Sequence, residues 1–176
     1  MLAERHARNF YRRYGLRAVS GTTNLAIYRS LVRTYPDRDH RQMLLDLIET
    51  RGDKGKWFAA AKDAGFLDIA LDCAAMHNAD PSTLVRAARD FCDKEPRFTA
   101  KVALFAVTHL LTGGGYDPPV SDLNEAIRHL FAAAHQIGAI GWARQELGRL
   151  ADGPCSPGRE LFQQAVRAAL SRHDAV

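Results

Sequence analysis

The sequence predicts an all-α fold of short helices stacked as antiparallel hairpins. Apolar residues recur at spacings of three and four along most of the chain, which is helical periodicity. Glycine, proline and capping side chains interrupt that pattern at short intervals. β-Branched residues are sparse, and no alternating pattern persists long enough to read as a strand. Hairpins joined in this way stack into an α-α superhelix or an irregular helical bundle. With 176 residues, 47% of them apolar, one domain spanning 1–176 is expected, with a basic helical subregion at 1–35.

The opening segment LAERHARNFYRRYG is rich in helix formers and ends at Gly15. Phe10 and Tyr14 give it one docking stripe. A second helix starts after Gly21, with Thr22 or Thr23 as its cap, and runs to Pro36. Leu25, Tyr28, Leu31, Val32 and Tyr35 mark its inward face. Asp37 or Asp39 caps a third helix, whose face is Met43, Leu44, Leu47 and Ile48. The turn Gly52-Asp53-Lys54-Gly55 closes it. KWFAAAKDAG comes next and stops at Gly65, and FLDIALDCAAMH begins at once with Asp68 in its first turn.

Asp80-Pro81 is a start signal, because the carboxylate caps free N–H groups and proline suits the first helical position. Pro96 then opens a long apolar helix, FTAKVALFAVTHLLT, expected to be central. Residues 113–119, GGGYDPP, form a loop. Ser121 and Glu125 begin the next helix. Gly138, Gly141 and Gly148 weaken the segment after it, leaving a short helix around Trp142. The final amphipathic helix packs through Leu161, Phe162, Ala165, Val166, Ala169 and Leu170.

The net charge is only +4, but it is uneven. Residues 1–35 hold seven arginines against the single acid Glu4, whereas the rest of the chain has 17 basic and 19 acidic side chains. No apolar run approaches the roughly 20 residues that span a bilayer, and the charged first residues do not read as a signal peptide. Cys73, Cys92 and Cys155 are odd in number and spaced unlike a disulfide framework. A reducing, cytoplasmic location is the expectation.

Trp57 and Phe91 lie 34 residues apart, and each opens an alanine-rich amphipathic segment. After Trp57 come Ala60, Ala61, Ala64-Gly65, Asp68, Ala70-Leu71 and Ala74, with Pro81 closing the unit. This stretch, 57–90, resembles one tetratricopeptide-type repeat, with a fainter copy at 91–120. It departs from that pattern in lacking a leucine between Trp57 and the glycine turn, and the second copy breaks at the glycine-rich loop. The resemblance implies a scaffold or protein-binding role and names no partner.

Motifs for chemistry are weak. Cys73 and His77 share a helix face, but two ligands without a Cys-x-x-Cys or His-Glu-x-x-His partner do not make a zinc site. His109, His129 and His135 have no nucleophile or orienting acid at a recognisable spacing. Gly113, Gly114 and Gly115 lack the Gly-Lys-Ser/Thr ending and the preceding strand of a phosphate loop. No enzyme, cofactor or metal is therefore expected.

Two binding readings stay open. Trp57, Lys62 and Asp63 either pack locally or line an interaction groove, and Tyr116 either packs or sits at an exposed interaction edge. Arg5, Arg8 and Arg12, with Arg13 and Arg17 beside them, form a basic stripe suited to phosphates, to an acidic protein or to plain solvation. The first reading makes the chain a non-catalytic protein-interaction or scaffold module with an unidentified protein partner. Its alternative is a nucleic-acid-associated protein working through the N-terminal helices. Membrane insertion is not expected for want of a spanning apolar run, nor is adsorption of the first helix on an anionic membrane, because its apolar face is short.

Overall fold

The computed structural model describes residues 11, 15–18, 20–113 and 118–174. Among them are nine helices, besides a helical turn at Leu16–Ala18 and a 3-10 turn at Lys54–Trp57, and there is no strand. The chain divides into two compact units, 1–73 and 74–176. The first expected helix lies outside the described residues apart from Tyr11 and Gly15. Nor are Gly114, Gly115, Tyr116 and Asp117 of the glycine-rich loop among them.

In the first unit, α1 (Asn24–Thr34), α2 (His40–Arg51), α3 (Phe58–Asp63) and α4 (Leu67–Ala74) succeed one another, the last residue of α4, Ala74, already belonging to the second unit. Thr23 caps α1 by accepting from the Ala26 N–H at 3.1 Å. Asp39, not Asp37, caps α2, accepting from the N–H groups of Arg41 and Gln42. Each cap satisfies helical donors that have no intrahelical partner. Gly52 and Asp53 both take positive φ, 71° and 49°, and turn the chain from α2 into the 3-10 turn. Gly65, at φ 78°, ends α3, and the N–H of Phe66 reaches back to the Ala61 carbonyl at 3.0 Å. That six-to-one bond closes orphan carbonyls and favours glycine at the left-handed position.

Ile27, Tyr28 and Leu31 of α1 meet Met43, Leu44 and Leu47 of α2, with Trp57, Phe58, Ala60 and Ala61 completing the core. Leu25, Val32 and Tyr35 are only half-buried, so the inward stripe of α1 is rotated toward Ile27 relative to the sequence reading. Arg29 holds both carboxylate oxygens of Asp63, and Arg41 holds those of Asp68. These pairs are exposed, so solvent screens them and their net contribution to stability is small.

The second unit contains α5 (Pro81–Phe91), α6 (Pro96–Leu111), α7 (Val120–Gln136), α8 (Ile140–Asp152) and α9 (Glu160–Asp174). Asp80 caps α5 through the Thr83 N–H at 2.9 Å, with Pro81 at the first turn. The apolar helix α6 touches α5, α7, α8 and α9 and buries residues around much of its circumference, as a central element must. Ser121 does not cap α7, which starts at Val120 without a side-chain cap. Asp122 instead accepts the Ser82 hydroxyl at 2.8 Å.

Two expectations change here. The helix around Trp142 is not short: α8 runs for 13 residues and includes both Gly141 and Gly148. Burial of Ala143, Leu147 and Ala151 on one face outweighs the poor helical propensity of two glycines. Leu161, expected in the packing face of α9, is 68% exposed. Phe162, Val166 and Ala169 carry the packing, because α9 is rotated so that Leu161 falls outside their arc.

Candidate functional site

Six residues of α7, Asn124, Ile127, Arg128, Phe131, Ala132 and His135, lie at successive spacings of three, one, three, one and three. This rhythm keeps them on one side of the helix. Ile140 at the start of α8 and Ala169 and Arg172 of α9 close the opposite wall, forming a cleft of about 740 Å³. Gly138, at φ 67°, ends α7, and the Ala139 N–H bonds back to the Ala134 carbonyl at 2.8 Å. That sharp ending brings Ile140 around to the cleft.

Ile127, Phe131 and Ala169 are nearly buried and form an apolar floor. Around it stand the exposed Asn124, Arg128, His135 and Arg172. The lining has two guanidinium groups, one imidazole and one amide, and no carboxylate. It therefore favours an anionic group beside an apolar one. Serine, threonine and cysteine are also missing from it, so the lining supplies no hydroxyl or thiol nucleophile.

Arg128 is positioned by neighbours on its own helix. Its guanidinium lies 3.3 Å from His129 Nε2 and 3.8 Å from a Glu125 oxygen. Burial, reinforced by the Arg128 charge, pulls His129 below the ordinary histidine range, against the opposing pull of Glu125. Neutral His129 accepts the Arg128 N–H at Nε2. On the other wall, Arg172 donates its Nε–H to the Ala168 carbonyl at 3.2 Å.

The residues singled out in the sequence fall elsewhere. Trp57 is 1% exposed, and its indole N–H donates to the Gly52 carbonyl at 3.0 Å. Of the two readings the sequence left open for Trp57, local packing is the one its burial matches: the ring fills the core that closes the turn after α2. Lys62 is half-buried, and Asp63 is engaged by Arg29. Tyr116 and Arg5, Arg8, Arg12 and Arg13 lie outside the described residues. Arg17 is exposed, but it lines a depression of about 300 Å³ together with Asp46 and Glu49. Two carboxylates there oppose a phosphate.

Asp46 also borders a smaller cavity of about 100 Å³ with Tyr11, Arg38 and Gln42. Tyr11 is 2% exposed, its ring meets Tyr35 edge-on at 5.3 Å, and the Arg38 guanidinium lies 4.1 Å above it. Burial and the Asp46 carboxylate push the Tyr11 hydroxyl up to about 12. Gln42 donates to Asp46 at 2.9 Å. The cluster is a packed polar core with room for little more than water.

Among the described residues no three histidine, cysteine, aspartate or glutamate side chains come together as metal ligands. Cys73 is buried, and desolvation raises its thiol to about 11, while His77 is exposed. His109 is buried and bonded to the Ala74 carbonyl. No described helix is long and apolar enough to cross a membrane. No family model matches the chain, and neither do any curated proteins or solved structures.

The cleft was not anticipated. Its α7 half had a sequence signal, since Asn124, Arg128 and His135 share one face with Ile127 and Phe131. Pairing that face with Arg172 depends on how α7 and α9 pack, which helical periodicity does not encode.

Proposed function

We propose that the chain is a non-catalytic interaction module that binds a protein partner at the cleft between α7 and α9. The observation that carries this reading is the lining itself: an apolar floor edged by Arg128, His135 and Arg172, without an acidic side chain. Such a surface offers desolvated contact at its centre and charge selectivity at its rim. Because Trp57 is buried in the first unit, this reading rests on the cleft of the second. The scaffold role that the tetratricopeptide resemblance implies agrees with this reading in kind, although the cleft lies outside residues 57–90.

Site-specific photocrosslinking in the native cell tests it. A benzophenone side chain at Ala132, exposed in the cleft, is compared with one at Lys101, exposed on α6. A discrete protein adduct at 132, absent at 101 and lost on adding Arg128→Glu, is the expected result. Equal labelling at both positions, or no protein adduct at 132, overturns the reading.

A further inference from the structure

We infer that the occupant of this cleft is an acidic amphipathic helix of the partner protein, lying along α9; the inference rests on the interaction reading above. Charge complementarity supplies the first argument. Arg128 and Arg172 stand on opposite walls, His135 adds an imidazole on the Arg128 wall, and no lining residue is acidic, Glu125 meeting Arg128 at 3.8 Å from outside the lining. Carboxylates on an incoming segment find donors on either side of the apolar floor and meet no like charge in the lining.

The second argument comes from α9. Leu161, Ala165, Ala168 and Arg172 recur at spacings of four, three and four, so they form one stripe along the helix. Leu161, 68% exposed, stands at one end, and Arg172 enters the cleft at the other. An isolated exposed leucine is ordinary. This one continues a small-residue strip that leads to the charged cleft. Eleven residues of helix rise about 16 Å, the length of three turns. A partner helix of about three turns thus reaches Leu161 with one apolar residue and the cleft with another, the helix-in-groove mode of recognition. A nucleic acid strand would use the arginines and leave Leu161 and Ala168 without a match.

Fluorescence anisotropy on the full chain tests the inference with three synthetic 12-residue peptides. The first carries leucines on one face and glutamates on its flanks. In the second the glutamates are lysines, and in the third the residues of the first are reordered so that no apolar face forms. A labelled single-stranded DNA is the fourth probe. The first peptide binds best, and Arg128→Glu/Arg172→Glu weakens it by about tenfold or more while improving binding of the lysine peptide. Leu161→Asp weakens the first peptide as well. Circular dichroism of each variant verifies that helix content is retained.

Equal binding of the first and third peptides overturns the inference, as does binding of the first that ignores the charge reversal. DNA binding lost in the double variant, without peptide binding, also overturns it and assigns the cleft to phosphates. If a protein crosslinks at position 132 while the acidic peptide does not bind, this inference falls and the interaction module stands. If neither occurs, both fall.

Discussion

His109 of α6 and Ala74 at the end of α4 are joined by a hydrogen bond of 2.7 Å between the imidazole Nε2 and the Ala74 carbonyl oxygen. The carbonyl only accepts, so Nε2 carries the hydrogen. The last carbonyls of a helix lack intrahelical donors, and this one is supplied from a buried side chain. The histidine is therefore a structural group, unlike a solvated one. His109→Ala is expected to cost about 2 kcal/mol, since it leaves a buried acceptor unmatched and opens a cavity. Urea unfolding followed by circular dichroism measures the loss, and His109→Gln should recover part of it. Wild-type stability in His109→Ala would remove the bond from the energetic account.

Burial of Trp57 separates stability from binding. Trp57→Ala should destabilise by about 3 to 5 kcal/mol through lost packing and an unmatched Gly52 carbonyl. In a Trp142→Phe background, the remaining Trp57 fluorescence should be blue-shifted and poorly quenched by iodide. Ready quenching would place the indole at the surface and favour the interaction-groove alternative over packing.

The glycines of the second unit should respond in opposite directions. Gly148 lies inside α8 with open space where a Cβ would project. Gly148→Ala is expected to stabilise by about 0.5 to 1 kcal/mol, because alanine restricts the unfolded chain and favours helix. Gly138 also has room, yet its φ of 67° suits glycine alone. Gly138→Ala should therefore destabilise by about 1 kcal/mol. A pair of thermal melts decides both, and changes of the same sign would refute the backbone argument.

Which features were legible in the sequence depends on how far their causes reach. Asp80 and Gly65 act through their own neighbours within a few residues, so their capping roles were legible in order and spacing. The choices of Thr23 over Thr22 and of Asp39 over Asp37 depend on where the backbone turns extended, which left two candidates for each. Gly141 and Gly148 misled because local propensity was set against a packing face, Ala143, Leu147 and Ala151, that only the folded unit rewards. Leu161 misled because it lies outside its helix's buried arc, whereas for Trp57, beside charged residues, spacing left packing and exposure undecided. Arg128 and Arg172, 44 positions apart, share a cleft only because α7 and α9 pack together.

His129 makes stability depend on pH near neutrality. Burial first, then Arg128, lowers its pKa from the ordinary value of 6.5, with Glu125 opposing and Arg89 adding a smaller push downward. Between the unfolded and folded values, the unfolded chain binds more protons than the folded one. Its contribution is thus fully present above the unfolded value and declines as pH falls through that window toward the folded value, below which no further loss arises from this group. Asp68, held near 2 by its hydrogen bond to Arg41, titrates well below this window. Thermal melts between about pH 7.5 and 5.5 should show a falling midpoint in the wild type and a smaller fall in His129→Gln. Equal slopes would assign the pH dependence to other groups. A midpoint that rises on acidification in the wild type alone would mean that His129 gains its proton in the folded state, with Glu125 as the dominant neighbour.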